Sequence, residues 1–271
     1  TTDIGFHGTG ANRLFRNEII NTGTLGFTQV AQEAGVRDSA IGWGATFFDY
    51  DNDGWLDLAV ASANNLSKLF HNNGDGTFAD VGESLGFAPI GNARGIISVD
   101  YDLDGDLDII IANTNGPAQL YRNDGGNTAN SLKILLHDAT GTDPQAIGSK
   151  ITVIAGASQQ IREVYSGYSF NSQEPFAVHF GLADHTLVDG IIVEWLDGTI
   201  TTTADINANQ TVTLVRSIAD MNLDARVNTI DFVAFLNAWA GGDAKADFDN
   251  NGILDELDYA IYLAAFIRDR I

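Results

Sequence analysis

Two acidic segments at a fixed spacing constrain the fold of this 271-residue chain more than any other feature. The first runs from residue 49 to 57 and the second from 100 to 108, so the second follows the first by 51 residues. Gly35 and Gly86 keep the same offset. Because repeats of roughly 50 residues with several short strands are typical of β-propeller blades, this spacing predicts propeller blades in the first half of the chain.

Short apolar segments flank each acidic loop and have the length and composition of β-strands. Asn73-Gly74-Asp75-Gly76 adds a strong hairpin-turn signal. We therefore expect four short strands in each unit. The predicted strands are 45–48, 56–61, 68–71, 96–99, 107–112 and 119–122.

Two complete units are too few to close a propeller ring, and open blades expose sheet edges and apolar faces. We expect residues 1–128 to form an incomplete ring whose missing blades come from an upstream segment, a second chain or another protein. The apolar positions that need this cover are Phe47, Val60, Ile97, Val99, Ile109 and Ile111.

Residues 129–216 form a segment of a different kind, in which glycines separate short β-patterned runs and no helical period is present. We expect a small β-sandwich-like domain there. Its predicted strands are 132–136, 150–155, 160–165, 177–181, 190–195 and 211–215.

A second repeat, with a period of 27 residues, occupies 217–271. Asp220 begins one twelve-residue loop and Asp247 begins its counterpart. Apolar side chains in 232–239 recur with helical spacing, and Gly241-Gly242 predicts where that helix ends. The predicted fold is thus mainly β, with partial propeller blades, a small β-sandwich-like domain and a C-terminal pair of helices.

Acidic residues at positions 1, 3, 5 and 9 of both nine-residue loops favour a hard cation such as calcium, which takes six to eight oxygen ligands. A glycine at position 6 permits the sharp turn, and the carbonyl of position 7 adds an oxygen. Without a cation these carboxylates repel one another, although a solvated acidic turn is the alternative. The candidate ligands are Asp49, Asp51, Asp53, Trp55 and Asp57 in the first loop, and Asp100, Asp102, Asp104, Asp106 and Asp108 in the second.

The twelve-residue loops carry oxygens at positions 1, 3, 5, 9 and 12, which is the EF-hand spacing. Position 12 is Asp rather than Glu, and position 6 of the first loop is Ala225, which must adopt a backbone conformation that Gly252 adopts freely. We expect about four Ca²⁺ ions in the chain, with the first tail loop the weaker site. The candidate tail ligands are Asp220, Asn222, Asp224, Arg226 and Asp231, and Asp247, Asp249, Asn251, Ile253 and Asp258.

The formal net charge of −22 argues against nucleic acid and anionic membrane surfaces as partners. The chain has no cysteine, which excludes disulfides, zinc–thiolate sites and thiol catalysis. No segment is apolar enough to span a membrane. The start at Thr1-Thr2, without an apolar leader, leads us to expect a processed or partial chain. Weak calcium modules depend on extracellular calcium, so we expect a secreted or cell-surface protein.

Three family resemblances cover nearly the whole chain. Residues 48–57 and 69–78 resemble FG-GAP/VCBS repeats, the calcium-loop blades also seen in integrin α-chain propellers. The paired loops and helices of 217–271 look like a bacterial dockerin, which implies a bacterial source and a cohesin-like protein partner. The middle segment resembles the ASPIC and UnbV domain of cartilage-acidic-protein-like proteins at 146–151, 162–164, 167–170, 179–182 and 193–199.

Catalytic signals are weak. None of the five histidines lies in a paired metal-ligand spacing, and no nucleophile elbow, phosphate loop or cofactor fingerprint is present. We expect His71 on a strand surface and His179 in a structural role, rather than an acid–base site of His179 with Glu163 and Glu194.

We therefore expect a non-catalytic, calcium-binding interaction or scaffold protein that acts in adhesion or in the assembly of a surface complex. The alternative is a glycan-binding accessory module of a polysaccharide-degrading enzyme, tethered by the dockerin-like tail. Exposed tryptophans would supply its sugar platform, but we expect Trp195 and Trp239 in cores.

Overall fold

The computed structural model describes residues 12–64, 67–140 and 143–270. Residues 1–11 of the predicted 1–128 domain lie outside this range. The chain folds as two compact units. Unit 1 comprises Thr1–Ser131, Ser166–Pro175 and Gly181–Asp184, and unit 2 comprises Leu132–Tyr165, Phe176–Phe180 and His185–Ile271. The boundaries 1–128, 129–216 and 217–271 stay predictions.

Unit 1 contains antiparallel sheets whose strands follow chain order. A two-stranded sheet, β1-β2, precedes blade 1, which is β3-β4-β5-β6, and blade 2, which is β7-β8-β9. The described sheets do not close into a ring, and the predicted mainly β class is confirmed. The elements are β1 Phe15–Asn17, α1 Ile19–Thr22, β2 Phe27–Gln29, β3 Gly42–Phe48, β4 Asp57–Ser62, β5 Lys68–Asn72, β6 Phe78–Asp80, β7 Ala93–Val99, β8 Asp108–Asn113 and β9 Gln119–Tyr121.

Apolar clusters on both faces of blade 1 form the core of unit 1. One cluster joins blade 1 to blade 2 and contains Phe48, Ala59, Ala61, Leu69, Phe87, Ala93, Ile96, Ile109 and Ile111. The other lies between blade 1 and the segment 30–36 and contains Val30, Ala31, Ala34, Val36, Leu58, Val60 and Phe70. Val60, Ile109 and Ile111 are therefore buried within the chain, and the prediction that they need outside cover is wrong for these three.

The opposite face of blade 2, which we call the outer face, has no equivalent cover among the described residues. Ile97, Ile110 and Leu120 lie in one row across its three strands. The corresponding row of blade 1, Thr46–Ala59–Leu69, is buried. Leu120 is 48% exposed, and Ile97 and Ile110 are half-buried.

Residues 166–175 pack against β3 and β7, where two glycines make room for them. A Cβ at Gly44 would lie 2.5 Å from Ser169 Oγ, and one at Gly95 would lie 2.5 Å from Ser172 Oγ. The carboxylate of the half-buried Glu174 then joins the two blades. Its Oε1 accepts hydrogen bonds from Thr46 Oγ1 at 2.5 Å and from Ser98 N and Oγ at 3.1 and 3.0 Å.

Unit 2 contains a three-stranded sheet, β13-β10-β16, and a four-stranded sheet, β12-β11-β14-β15. β16 pairs in parallel with β10. The sequence missed β15, whose threonine-rich run alternates with too few apolar residues to stand out. The strands are β10 Asn130–Asp138, β11 Lys150–Ala155, β12 Ser158–Glu163, β13 Val178–Ala183, β14 Leu187–Glu194, β15 Ile200–Asn207 and β16 Gln210–Arg216.

Two helices close the chain, α2 Thr229–Gly241 and α3 Glu256–Asp269. Gly242 ends α2 in a left-handed conformation with φ 71°, as the sequence predicts. The fully buried rings of Phe235 and Tyr262 stack with centroids 3.9 Å apart. Short 3₁₀ helices occur at Gly126–Thr128 and Ala244–Ala246. No helix in the described ranges is both long and apolar enough to cross a membrane.

The environment of Glu174 predicts a pH-dependent stability. Burial raises the pKa of its carboxyl above the ordinary value, which is about 4.3 in an unfolded chain. Between the two pKa values the folded state binds more protons, so the free energy of unfolding falls as the pH rises through this window. Glu174→Gln should remove the contribution of Glu174 to this fall in the free energy of unfolding, as measured by urea unfolding at a series of pH values from about 4 upward.

Thr46→Val is the matched variant, because it removes one hydrogen bond to the charged carboxylate while the carboxylate stays buried. Thr46→Val should therefore make the free energy of unfolding fall more steeply as the pH rises. Parallel pH profiles for the parent chain and Glu174→Gln would contradict this account of Glu174.

Candidate metal centres

The four acidic loops share one backbone conformation. Position 4 is left-handed in all of them, at Asn52 (φ 59°), Leu103 (φ 63°), Leu223 (φ 59°) and Asn250 (φ 58°). Position 6 also has positive φ, at Gly54, Gly105, Ala225 and Gly252. Ala225 has φ 63°, so it adopts the strained conformation that its place in the loop predicts. The sequence did not predict the left-handed leucines at position 4.

The carboxylate at position 1 closes each loop in the same way, because its two oxygens accept hydrogen bonds from the backbone N–H groups of positions 5 and 6. Asp49 accepts them from Asp53 at 3.1 Å and Gly54 at 2.9 Å. The equivalent pairs of distances are 3.1 and 3.1 Å at Asp100, 3.1 and 2.8 Å at Asp220, and 3.1 and 2.8 Å at Asp247.

The carboxylate at position 9 of each blade loop is hydrogen-bonded to the backbone of the neighbouring strand. Asp57 accepts hydrogen bonds from Tyr50 N at 3.1 Å and from Asn72 N at 2.8 Å. Asp108 accepts the same pair one repeat later, from Tyr101 N at 3.1 Å and Asn123 N at 2.8 Å. Both carboxylates are fully buried. The asparagines that end the repeated segments 69–72 (Leu-Phe-His-Asn) and 120–123 (Leu-Tyr-Arg-Asn) therefore supply one of the backbone donors that hold position 9.

Position 12 of each tail loop is also the third residue of a helix. Asp231 accepts a hydrogen bond from Asn228 N, and Asp258 accepts one from Asp255 N, so each completes a capping box at the start of α2 or α3. A sensor EF-hand has Glu at this position. The shorter Asp side chain found here caps a helix in addition to its predicted role as a calcium ligand.

The loops bring carboxylate oxygens within 4.8 Å of one another. Burial and the like charges of Asp53, Asp57 and Asp51 raise the pKa of Asp49 to about 7, against the hydrogen bond from Gly54. Burial likewise raises the pKa of Asp57 to about 7 and that of Asp220 to about 6. The clusters are Asp49–Asp51–Asp53, Asp51–Asp57–His71, Asp100–Asp102–Asp108, Asp220–Asp224–Asp231 and Asp247–Asp249–Asp258.

Asp104 and Asp106 stand apart from the cluster of the second blade loop. Asn127 donates to both, from Nδ2 to Asp104 Oδ2 at 2.8 Å and from its backbone N to Asp106 Oδ2 at 3.1 Å. Asp106 is fully buried, and burial with the Asp104 charge raises its pKa to about 7. The sequence assigned only its backbone carbonyl a role. The carbonyl groups of Trp55, Arg226 and Ile253, and the side chains of Asn222 and Asn251, stay predicted ligands.

His71 is a site residue that the sequence analysis missed. Its Nδ1 lies 3.3 Å from both Asp51 Oδ2 and Asp57 Oδ1, and its side chain is 28% exposed, so the expected surface position is wrong. The equivalent residue one repeat later is Arg122, which pairs with Asp124 at 2.6 Å. The change from arginine to histidine at this repeat position was the signal for a different role.

Gly181 lies directly against the first blade loop. A Cβ there would come within 2.1 Å of Asp49 Oδ2 and 2.5 Å of Asn52 Cα. Ala183 N then donates to Asn52 O at 2.8 Å. Residue 181 must therefore be glycine if the loop keeps this position, because any side chain would displace the carboxylate of Asp49.

The other candidate residues occupy structural surroundings. Glu194 pairs with Lys150 at 2.7 Å across adjacent strands. Trp195 is 3% exposed and donates to Thr201 Oγ1, which confirms its predicted core position. The ring of Trp43 is covered by the Arg94 guanidinium at 3.6 Å. Trp55 is 54% exposed.

Comparison with known proteins agrees with two of the three resemblances. Residues 49–111 match the family model described as FG-GAP-like repeat, and residues 139–220 match the one described as ASPIC and UnbV. This chain contains both domains. The match to the second includes β11 to β16 and ends at Asp220, the first residue of the tail's first loop.

Curated relatives match the chain over 103 residues. Cartilage acidic protein 1 of Homo sapiens is 37% identical there, that of Mus musculus 36% and that of Xenopus tropicalis 32%. In each case the match covers 38% of this chain and 16% of the relative. The similarity therefore spans only a small part of each relative.

Gly181→Ala tests the close contact with the first blade loop. The added methyl group must push Asp49 or the backbone of Asn52 aside, so the free energy of unfolding should fall by about 1–3 kcal/mol, the usual cost of overpacking. Urea unfolding followed by fluorescence measures it. Gly190→Ala is the matched control in β14, because its Cβ would meet no atom closer than 4.0 Å. Equal losses in the two variants would contradict the proposed contact.

Proposed function

We propose that this protein is an extracellular, non-catalytic interaction module that binds calcium at its four acidic loops. The observation that carries the proposal is the shared geometry of loops from two unrelated repeats. In each loop, backbone N–H groups hold the position 1 carboxylate, and further carboxylates turn toward it. Carboxylate and carbonyl oxygens are the ligands that calcium prefers.

The electrostatics of the loops support a cation. Asp49 and Asp57 are buried beside other carboxylates, and their raised pKa values mean that the protein alone holds these groups as anions at a cost. A bound Ca²⁺ ion supplies the positive charge that these oxygens lack. The candidate ligands would then be the residues named above, with Asp51, Asp53 and Asp57 completing the first site.

The two matched domains support a role in protein interaction. An FG-GAP-like repeat and an ASPIC and UnbV domain occur together here, and the curated relatives are cartilage acidic proteins by name. We propose adhesion or assembly of a surface complex as the biological setting. A bacterial source rests on the dockerin-like tail alone. The glycan-binding alternative has less support, since Trp43 is covered and Trp195 is buried, while Trp55 is 54% exposed.

We propose the outer face of blade 2 as the position of a further blade. Blade 1 buries the row Thr46–Ala59–Leu69 against blade 2, and the outer face presents the same row one repeat later. The added blade would come from an upstream segment, a second chain or another protein.

We propose the tail as a dockerin-like protein-binding domain. Apolar residues remain exposed on both helices, including Ile230, Val233 and Ile267. The first tail loop also bonds to the sheet of unit 2, because Thr202 N donates to Leu223 O and Val215 N donates to Ala225 O. The tail therefore has an internal packing role beside any partner.

Removal of calcium should lower the melting temperature of the protein. An ion present at 100 times its Kd stabilises the folded state by about 2.7 kcal/mol at each site. Differential scanning calorimetry in excess calcium and in excess EGTA measures the loss. Asp49→Ala should reduce the calcium-dependent shift, and Glu83→Ala, an exposed acidic residue outside the loops, should not. Identical melting curves in calcium and EGTA would overturn the proposal.

The same titration should depend on pH. Because calcium binds the deprotonated carboxylates, and burial raises the pKa of Asp49 and Asp57 to about 7, the apparent affinity should rise as the pH increases from 5 toward about 7. Isothermal titration calorimetry in buffers of different ionisation enthalpy should register the released protons.

The outer face predicts exposed apolar surface on the isolated chain. In calcium it should bind a hydrophobic dye or self-associate, as seen by fluorescence and sedimentation velocity. Leu120→Gln should weaken both effects, whereas Leu103→Gln, on a loop where the side chain is 78% exposed, should leave them unchanged. A compact monomer that binds no dye would show that the outer face needs no further blade.

A further inference from the structure

A single side chain of the first blade loop reaches the second. Asn52 is fully buried, and its Nδ2 donates to Gly105 O at 3.1 Å and to Gly126 O at 3.0 Å. Gly105 is position 6 of the second loop, and its N–H holds the Asp100 carboxylate at 3.1 Å. The amide of Asn52 therefore fixes the backbone at the turn that shapes the second loop.

Comparison of the two repeats shows that the loop conformation does not require the contact made by Asn52. Leu103 occupies the same position in the second loop and has the same left-handed backbone, but its side chain is 78% exposed. Both loops thus require the left-handed conformation at this position, whereas the buried amide of residue 52 serves the contact between the loops.

A second bridge runs in the opposite direction. Asn123 Nδ2 donates to Tyr50 O of the first loop at 2.6 Å, and the Asn123 backbone N–H holds Asp108 at 2.8 Å. Gly126 fits tightly against the first loop, since a Cβ there would lie 2.2 Å from Tyr50 O. The segment that follows β9 is therefore packed tightly against the first loop.

An orphaned oxygen lies beside these bridges. Asp106 is fully buried, and its Oδ1 has no hydrogen-bond partner among the described residues. It follows Gly105 directly, and its Cβ lies against Gly126. A buried carboxylate oxygen without a donor is costly unless a cation or a proton neutralises it.

We propose that Asn52 is a positioning residue that couples the two blade loops, so that a divalent cation bound at one loop raises the affinity of the other. The inference rests on the proposed calcium function. An ion at the first loop orders Asn52, which in turn holds the carbonyls of Gly105 and Gly126. The second loop then loses less conformational freedom when it binds its own ion. Coupling between sites typically changes affinity by about 5- to 150-fold, and the effect is reciprocal.

Site-resolved NMR of the full ¹⁵N-labelled chain, titrated with CaCl₂, tests this coupling. The Gly54 and Gly105 amides each donate to the position 1 carboxylate of their own loop, so each responds when that loop binds an ion. In the parent chain, disabling the first loop with Asp53→Ala should raise the calcium midpoint at Gly105 by about fivefold or more. In the Asn52→Gly background, the same change should shift the Gly105 midpoint by less than about twofold.

Leu103→Gly is the matched control, because it makes the same substitution at the same loop position without removing a bridge. It should preserve the full effect of Asp53→Ala. If Asn52→Gly also preserves that effect, or if Leu103→Gly abolishes it, the coupling role of Asn52 is wrong. If neither amide responds to millimolar calcium, the proposed calcium function itself fails.

Asn52→Asp provides a second test of the coupling in case the Asn52→Gly variant does not fold. It keeps the size of the side chain and a residue type that tolerates left-handed backbone, but it cannot donate to Gly105 O or Gly126 O. It should uncouple the loops as Asn52→Gly does. Retained coupling in a folded Asn52→Asp chain would overturn the proposal.

Discussion

The carboxylate at the first position of each acidic loop is the interaction on which the rest of the structure depends. Its oxygens accept two successive backbone N–H groups, which bend the chain sharply between one element and the next. In the blades the bend joins two antiparallel strands, and in the tail it leads into a capped helix. One local hydrogen-bond pattern thus occurs in two different architectures, a strand-to-strand turn and a loop that leads into a helix.

These bends place several carboxylates close together, and the strands that follow bury some of them. Asp57 and Asp108 lie at the start of strands and are fully buried, while each accepts two backbone hydrogen bonds. Such bonds stabilise a charged carboxylate but leave the mutual repulsion of the loop in place. The fold therefore holds the carboxylate oxygens in fixed positions but leaves their negative charge uncompensated. A divalent cation contributes most to stability under this condition.

Unit 1 depends on segments that are distant in sequence. Glu174 joins β3 to β7, and Gly181 lies against Asp49, although both residues come from beyond the blades. The blades alone would leave these polar groups of β3 and β7 without their partner. Unit 1 is therefore completed by Ser166–Pro175 and Gly181–Asp184, which come from the β segment that follows the blades.

The sequence by itself determined the repeats, the mainly β class, the acidic loops and the end of α2, because each depends on residues close together in the chain. Local spacing decides which side chains share a loop, and Gly54 or Gly242 is recognisable wherever a left-handed turn is needed. Only the tertiary structure decided the contacts of Asn52, His71 and Gly181. Their partners lie across strands or far along the chain, so packing rather than spacing brings them together. The same physical difference explains why the ligand candidates followed from the sequence, while the bridge between the loops did not.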